Sequence, residues 1–321
     1  MHSLDELGQL FTEKFNTDHF PASPASLYDP NRYFLNLGGK RIRPLLVLMG
    51  NELVEEIHED SWLVAMAVEL FHNFSLIHDD IMDEAPLRRG QETVHSKYGP
   101  NTALLAGDVM LVKAYEYLIN VRQDFAKPLI ALFNRTAAEV CEGQQLDMDF
   151  EKRSDVSHVE YLHMIQLKTS VLLAASLKMG ALIGGASRYN QDHLYEFGLN
   201  LGTAFQVQDD YLDAFGDPAK FGKEVGGDIR QNKKTFLAIH AWEVANESQR
   251  KKLKELSLLN DAIKVPAVIA VMKDCGVDEW AMQLKEEYYN KALFHLEEIA
   301  VMNRRKTALS DLAQFLLQRE Y

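Results

Sequence analysis

Two short acidic runs repeat one spacing. Asp79-Asp80-Ile81-Met82-Asp83 and Asp209-Asp210-Tyr211-Leu212-Asp213 each hold a pair of carboxylates and a third four residues after the first. On a helix, residues four apart share a face. Each run follows apolar sequence, Phe74-Ser75-Leu76-Ile77 in one case and Ala204-Phe205-Gln206-Val207 in the other. His72, seven residues before Asp79, falls on nearly the same face as that aspartate. Carboxylates at a helix C-terminus oppose the macrodipole, so their placement asks for a cation. Oxygen donors suit hard divalent ions, and Mg²⁺ typically joins one or two carboxylates to substrate phosphates. One such cluster is as well read as a solvated helix end. Two of identical spacing, each ending an apolar helix, favour metal.

Four basic segments could receive the phosphates. Gly38-Gly39-Lys40-Arg41-Ile42-Arg43-Pro44 places three cations beside the expected start of a helix, a natural seat for an anion. The glycines fit a helix end, and Pro44 fits the first position of the next helix. Arg88-Arg89-Gly90 follows the first acidic run after a turn at Pro86. Lys168-Thr169 interrupts an apolar helical pattern, and a buried lysine needs an anionic partner. The stretch from Gly222-Lys223 through Gly226-Gly227-Asp228 to Lys233-Lys234 has the glycines of a loop able to close over a ligand. Arginine forks and lysine point charges beside metal-binding carboxylates imply a strongly anionic substrate, a diphosphate held through Mg²⁺.

The elements that must position these groups are helical. Apolar residues recur at three- and four-residue spacing in segment after segment. The pattern predicts helices over 4–16, 29–37, 44–57, 61–84, 101–120, 127–152, 158–185, 191–215, 234–246, 249–256, 266–275, 277–302 and 306–319. Ser3-Leu4-Asp5-Glu6 and Ser157-His158-Val159-Glu160 have the form of capping boxes. Strand signals are almost absent, so the fold class is all-α, a single-domain helical bundle. The long apolar segments 61–84, 158–185 and 191–215 belong at its centre. The chain has 321 residues, enough to bury a large core as one domain over 1–321. A net charge of −13 speaks against a nucleic-acid partner. Cys141 and Cys275 are too few for a disulfide framework or a cysteine zinc site. The acidic N-terminus does not read as a signal peptide, and the most apolar stretch, 170–186, carries Lys178 and falls short of a bilayer span. A cytoplasmic protein with no integral membrane segment is expected.

Taken together, the motifs resemble those of the polyprenyl synthetase family, the trans-isoprenyl diphosphate synthases. They are Gly-Gly-Lys-Arg-Ile-Arg-Pro at 38–44, the aspartate run with its Arg-Arg-Gly at 79–90, Cys-Glu-Gly-Gln at 141–144, Lys-Thr at 168–169, Phe-Gln-Val-Gln-Asp-Asp-Tyr-Leu-Asp at 205–213 and the lysine loop at 223–234. The resemblance runs from about residue 30 to 240. It implies a helical bundle around a deep cavity, usually as a homodimer. It implies three Mg²⁺ ions, for which Mn²⁺ could substitute, on Asp79, Asp83 and Asp209, with Asp80, Asp210 and Asp213 supporting them. Arg88, Lys168, Lys223 and Lys233 would grip an allylic diphosphate, while Lys40, Arg43, His72 and Arg89 would hold isopentenyl diphosphate. Thr169 and Gln206 would lie beside the forming allylic cation.

Product length is addressed by Phe74 and Ser75. Phe74 lies five residues, about 7.5 Å along a helix, before Asp79. In the family a bulky residue at this depth stops elongation. Phe74, with the small Ser75 and the two-residue gap before Asp83, resembles the geranylgeranyl pattern, so C20 is expected ahead of C15. Three rivals stand beside this reading, one of them a non-catalytic regulatory subunit, which would be expected to lose a metal motif. A di-iron carboxylate bundle needs Glu-x-x-His pairs, and Glu55/His58, Glu69/His72, Glu92/His95 and Glu160/His163 all have that spacing. A class I terpene cyclase also ionises allylic diphosphates, but usually lacks the second aspartate run and the Gly-Gly-Lys-Arg segment.

Overall fold

The computed structural model describes residues 1–16, 18–216, 226–259 and 263–317. Lys223 lies outside them. Among the described residues the chain is almost wholly helical, as the periodicity predicts. The first helices are α1 (Leu4–Phe15), α2 (Ala25–Asn36), α3 (Ile42–Glu52) and α4 (Glu59–Met82). A short hairpin of β1 (Leu87–Arg88) and β2 (Gln91–Glu92) leads to α5 (Val94–Tyr98), α6 (Pro100–Ile119) and α7 (Gln123–Lys152). Then come α8 (His158–Ile165), a π-helical turn (Gln166–Ser170), α9 (Val171–Ile183) and α10 (Arg188–Phe215). The last are α11 (Gly227–Arg230), α12 (Phe236–Val244), α13 (Glu247–Ser257), α14 (Lys264–Asp274), α15 (Val277–Glu298) and α16 (Asn303–Leu317). No helix among them is long and apolar enough to cross a membrane.

Both expected capping boxes form. The Ser3 and Ser157 hydroxyls accept from the backbone N–H of Glu6 and Glu160, whose carboxylates reach back to the cap N–H groups. Most helix ends fall within about five residues of the predicted ones, and two differences bear on the site. Helix α3 begins at Ile42 after Arg41 in a left-handed conformation (φ 50°), so Pro44 sits inside the first turn and not at its first position. The segment expected as one helix over 158–185 is interrupted by the π-helical turn at Lys168 and Thr169, where the apolar pattern also breaks.

By its contacts the chain divides into two compact units. The first comprises 1–135, 175–194 and 300–308, and the second 136–174, 195–299 and 309–321. In the first, α4 is apolar nearly all round its early turns: residues 60 to 71, Leu63 excepted, are buried. That is the signature of a helix enclosed by neighbours. Its partners are α3 and α6, with Phe11, Phe34, Leu48 and Phe133 also fully buried. In the second unit, Phe150, Tyr161, Val207, Phe236, Val271 and Val277 belong to one buried cluster.

Helix α3 is buried at every position from 44 to 53 because α9 approaches it without side chains between the backbones. A Cβ on Gly180 would stand 1.8 Å from the Val47 carbonyl oxygen, and one on Gly50 would stand 2.3 Å from that of Leu177. Gly180→Ala tests the contact by its sign. In an ordinary helix interior the change would gain about 1 kcal/mol. Here overpacking is expected to cost about 2–3 kcal/mol or more, read as a lowered midpoint in thermal unfolding.

Candidate active site

The first acidic run closes α4. Asp83 caps the helix, its N–H donating to the Asp79 carbonyl at 2.9 Å. Asp80 is 1% exposed, whereas Asp83 stands in solvent. Burial raises the Asp80 carboxyl above its usual range, and Arg88 opposes the rise. Both Nε and Nη2 of Arg88 lie 2.7 Å from Asp80 Oδ1, and Nη2 also reaches Asp79 Oδ2 at 3.3 Å. The second oxygen of Asp80, Oδ2, is buried with no protein partner.

Arg88 is aimed by the hairpin. Arg89 and Gly90 both have positive φ, 54° and 76°, and Arg88 pairs with Gln91. This is the twist of a two-residue primed turn. Thr93 Oγ1 donates to the Ala85 carbonyl and Tyr33 Oη to the Glu92 carbonyl, both at 2.8 Å, pinning the hairpin's base. Arg88 is the last residue of β1 and Arg89 the first of the turn, so the chain reverses between them. Arg88 thus turns to the aspartates, while the Arg89 guanidinium lies over the backbone of Gly39.

Around Gly39 the cations divide. Arg41 reaches α1, with Nη1 3.4 Å from Thr12 Oγ1 and its guanidinium 4.8 Å from the Phe15 ring centroid. Of the three cations of segment 38–44, Arg41 is thus engaged with α1, while Arg43 turns to α4. Arg43 Nη1 donates to His72 Nε2 at 3.0 Å, so that nitrogen must be the bare acceptor of a neutral ring. Burial and the charges of Arg43, Arg89 and Arg88 hold His72 well below the usual histidine range. Burial also lowers Arg43, to about 10, against the pull of Glu69. Glu69, 5% exposed, accepts from Asn73 and keeps Oε2 without a partner. The sequence offered Glu69 only as half of a Glu-x-x-His spacing.

The second acidic run closes α10. Asp209 is exposed and Asp210 buried. Asp210 Oδ1 accepts from Gln206 Nε2 at 3.0 Å, one turn earlier on the same helix, and Oδ2 faces the Tyr161 hydroxyl at 3.4 Å. Asp213 accepts from the Asp228 N–H through Oδ2 at 3.1 Å, and its carbonyl accepts from Gly226 N–H at 2.6 Å. Lys233 Nζ lies 3.7 Å from Asp228 Oδ1. Burial would lower Lys233, but the charges of Asp228, Asp210 and Asp147 outweigh it and raise it. Lys234 fixes the chain beside it, donating to the carbonyls of Phe150, Glu151 and Arg153 at the end of α7.

Lys168 has the anionic partner its setting demands, Asp147 Oδ2 at 2.6 Å. The π-helical turn carrying Lys168 and Thr169 packs directly on α7 at Gly143, where a Cβ would stand 2.3 Å from the Lys168 nitrogen. Any other residue at 143 would push the turn away. Asp147 is one helical turn beyond Gly143 and on its face, a spacing from which it could have been found. Asp228, Tyr161 and Glu69 carried no such signal.

The structure thus gathers Asp79, Asp80 and Arg88 in one group and Arg43, His72 and Arg89 in an adjoining one, all within the first unit. Within the second it gathers Gln206, Asp210 and Tyr161, and separately Asp213, Asp228 and Lys233. Phe74 is half-buried between Phe71 and His78, with ring centroids 5.6 and 4.7 Å away. The Ser75 hydroxyl is spent on the His72 carbonyl at 2.8 Å. None of the Glu-x-x-His pairs gathers metal-ligating atoms. Among the described residues, the group of three that does is His158, His240 and Glu243.

Asp210 carries a pH signature. Burial pushes its carboxyl up to about 7; Gln206 and Lys233 work against the rise, and the charges of Asp228 and Asp209 add to it. An unfolded aspartate titrates near ~4. The folded chain therefore holds this proton more tightly, and stability is lost as pH rises from about 4 to about 7. Metal-free Asp210→Asn is expected to gain on the wild type across that window and keep a constant margin above it. Thermal unfolding in chelator at a series of pH values checks this; a margin that does not change with pH would refute it.

The motifs match the polyprenyl synthetase family over residues 24–274. The chain is 38% identical over 322 residues to the short chain isoprenyl diphosphate synthase of Methanothermobacter thermautotrophicus, covering 100% of this chain and 99% of that one. It is 38% identical over 300 residues to the geranylgeranyl diphosphate synthase of Methanosarcina mazei, with 93% and 91% covered. A crystal structure of a geranylgeranyl pyrophosphate synthase superposes with a TM-score of 0.93 at 47% identity, covering 100% of both chains. Two aspartate runs at helix ends, with arginine and lysine partners on short connecting segments, are the arrangement of a chain that belongs to the polyprenyl synthetase family.

Proposed function

We propose that this protein is a trans-prenyltransferase that condenses isopentenyl diphosphate with an allylic diphosphate to give a short-chain prenyl diphosphate, C20 ahead of C15. The observation that carries the reading is the Asp79, Asp80 and Arg88 group, a buried and a half-buried carboxylate already paired to a guanidinium beside a second cationic group. That chemistry suits a metal–diphosphate and not a neutral ligand. The rest of the chain, read as one catalytic domain in the cytoplasm, serves this reaction.

The donors fit a hard divalent cation: they are all carboxylate oxygens, and Asp80 Oδ2 is buried with no protein partner. Asp79, Asp83 and Asp209 would hold Mg²⁺, with Asp80, Asp210 and Asp213 fixing the backbone and charge around them. Bound Mg²⁺ supplies neutralising charge for the diphosphate that leaves. Arg88, Lys168, Lys223 and Lys233 grip the allylic diphosphate, and Lys40, Arg43, His72 and Arg89 hold the homoallylic one. The allylic C–O bond breaks and its electron pair leaves with the diphosphate, whose developing charge these cations stabilise. The double bond of isopentenyl diphosphate attacks the cation beside Thr169 and Gln206. A proton then leaves the new chain for the released diphosphate, while apolar walls exclude the water that would quench the cation.

A homodimer is part of the same reading. Helix α6 exposes Leu104, Leu105, Val112 and Ile119, at 50, 54, 65 and 63%, an apolar series suited to a second copy.

Purified enzyme with Mg²⁺, labelled isopentenyl diphosphate and each allylic primer should elongate at least one primer, and failure with all of them would reject the reading. Asp79→Ala and Asp209→Ala are each expected to lose at least about 100-fold in turnover while remaining folded by circular dichroism. Phe74→Ala should release products longer than the wild-type ones on chromatography of the dephosphorylated alcohols. Unchanged lengths would remove Phe74 from the floor of the site.

A further inference from the structure

Away from both acidic runs, three side chains of the second unit converge on one point. His158 is the first residue of α8, and His240 and Glu243 lie three apart on α12. The Nδ1 atoms of both histidines point at the same oxygen, Glu243 Oε2, from 2.7 and 3.4 Å. Their ligand atoms all lie within 4.8 Å of one another. The other carboxylate oxygen, Oε1, accepts from the His158 backbone N–H at 3.1 Å, which aims Oε2 between the rings. Trp280 on α15 fixes the histidines from beneath. It stacks on His240 at 3.6 Å and 17°, and meets His158 edge-on at 5.5 Å.

We propose that His158, His240 and Glu243 form a binding site for a zinc-class divalent cation, chemically distinct from the aspartate clusters. Two imidazole nitrogens and one carboxylate oxygen are the donor set of three-ligand zinc sites. At metal–ligand distances of about 2.1 Å, tetrahedral ligands stand about 3.4 Å apart, the separation already found between His240 Nδ1 and Glu243 Oε2. The shorter His158 contact is a hydrogen bond that the ion would open. The side chains of His158, His240 and Glu243 are 32, 14 and 34% exposed, which leaves an entry path and a position for water. Imidazole suits zinc, copper and nickel far better than magnesium, so the site would select against the ion the aspartates take. The bound ion would tie the start of α8 to the end of α12.

The test uses full-length protein stripped of metal and then held in excess MgCl₂, so that the aspartates are occupied. Titration with CoCl₂ should give one equivalent of the intense visible absorption of tetrahedral, nitrogen-ligated cobalt, abolished by ZnCl₂. It should also quench tryptophan emission, because Trp280 lies against a ligand ring. Glu243→Gln and His240→Ala should each weaken cobalt binding by more than about 100-fold, beyond what loss of an outer partner costs. Trp280→Phe should keep the absorption and lose part of the quenching. If His240→Ala fails to fold, Glu243→Gln alone decides. A wild-type titration without the tetrahedral spectrum, or one that Glu243→Gln leaves unchanged, would overturn the proposal.

Discussion

Negative charge held at the end of an apolar helix is the constraint on which the rest of this molecule depends. The peptide dipoles of α4 and α10 both place their negative ends where the aspartates stand, and burial of Asp80 and Asp210 removes the water that would offset it. The two ends meet this in different ways. At α4 a guanidinium lies directly on the carboxylates and opposes the effect of burial. At α10 the buried aspartate has an amide and a phenol as neighbours, and the charge of Lys233 acts on it through space. The first cluster is therefore built as a paired charge, whereas in the second burial pushes the Asp210 carboxyl up to about 7.

Short pieces of backbone, not regular helix, carry several of the cations described above. The hairpin carries Arg88 and Arg89, the π-helical turn carries Lys168, and the segment after α11 carries Lys233. Each is seated by a close contact of its own: Thr93 and Tyr33 for the hairpin, Gly143 for the π-helical turn, and Lys234 for the lysine segment. Such turns are tighter or wider than the α-helix around them, and they aim side chains where regular helix would not.

The helices were legible in the sequence because apolar spacing and capping boxes are local signals, and their ends moved by a few residues only. Both aspartate runs were legible for the same reason. The partners of the cations were not. Asp147 lies 21 residues from Lys168, and Glu69, Tyr161 and Asp228 acquire their roles from helices crossing in space, which no local spacing reports. Arg41 reads as the equal of Lys40 and Arg43 in the sequence, and only its left-handed backbone sends it to Phe15. The break at Lys168 was visible as an interruption in the apolar pattern. The close seat of that turn against Gly143, in another helix, was not.

One feature of the hairpin bears on how such a site can change over time. Arg88, the last residue of β1, and Arg89, the first central residue of the turn, serve different neighbours, and both central positions of that turn, Arg89 and Gly90, sit at positive φ. No side chain can be inserted between them, and neither can be turned without turning the other. The grip on the aspartates and the cover over Gly39 are mechanically one part. Drift in this segment is confined to side chains, and a shift of its backbone would have to be accommodated on both sides at once.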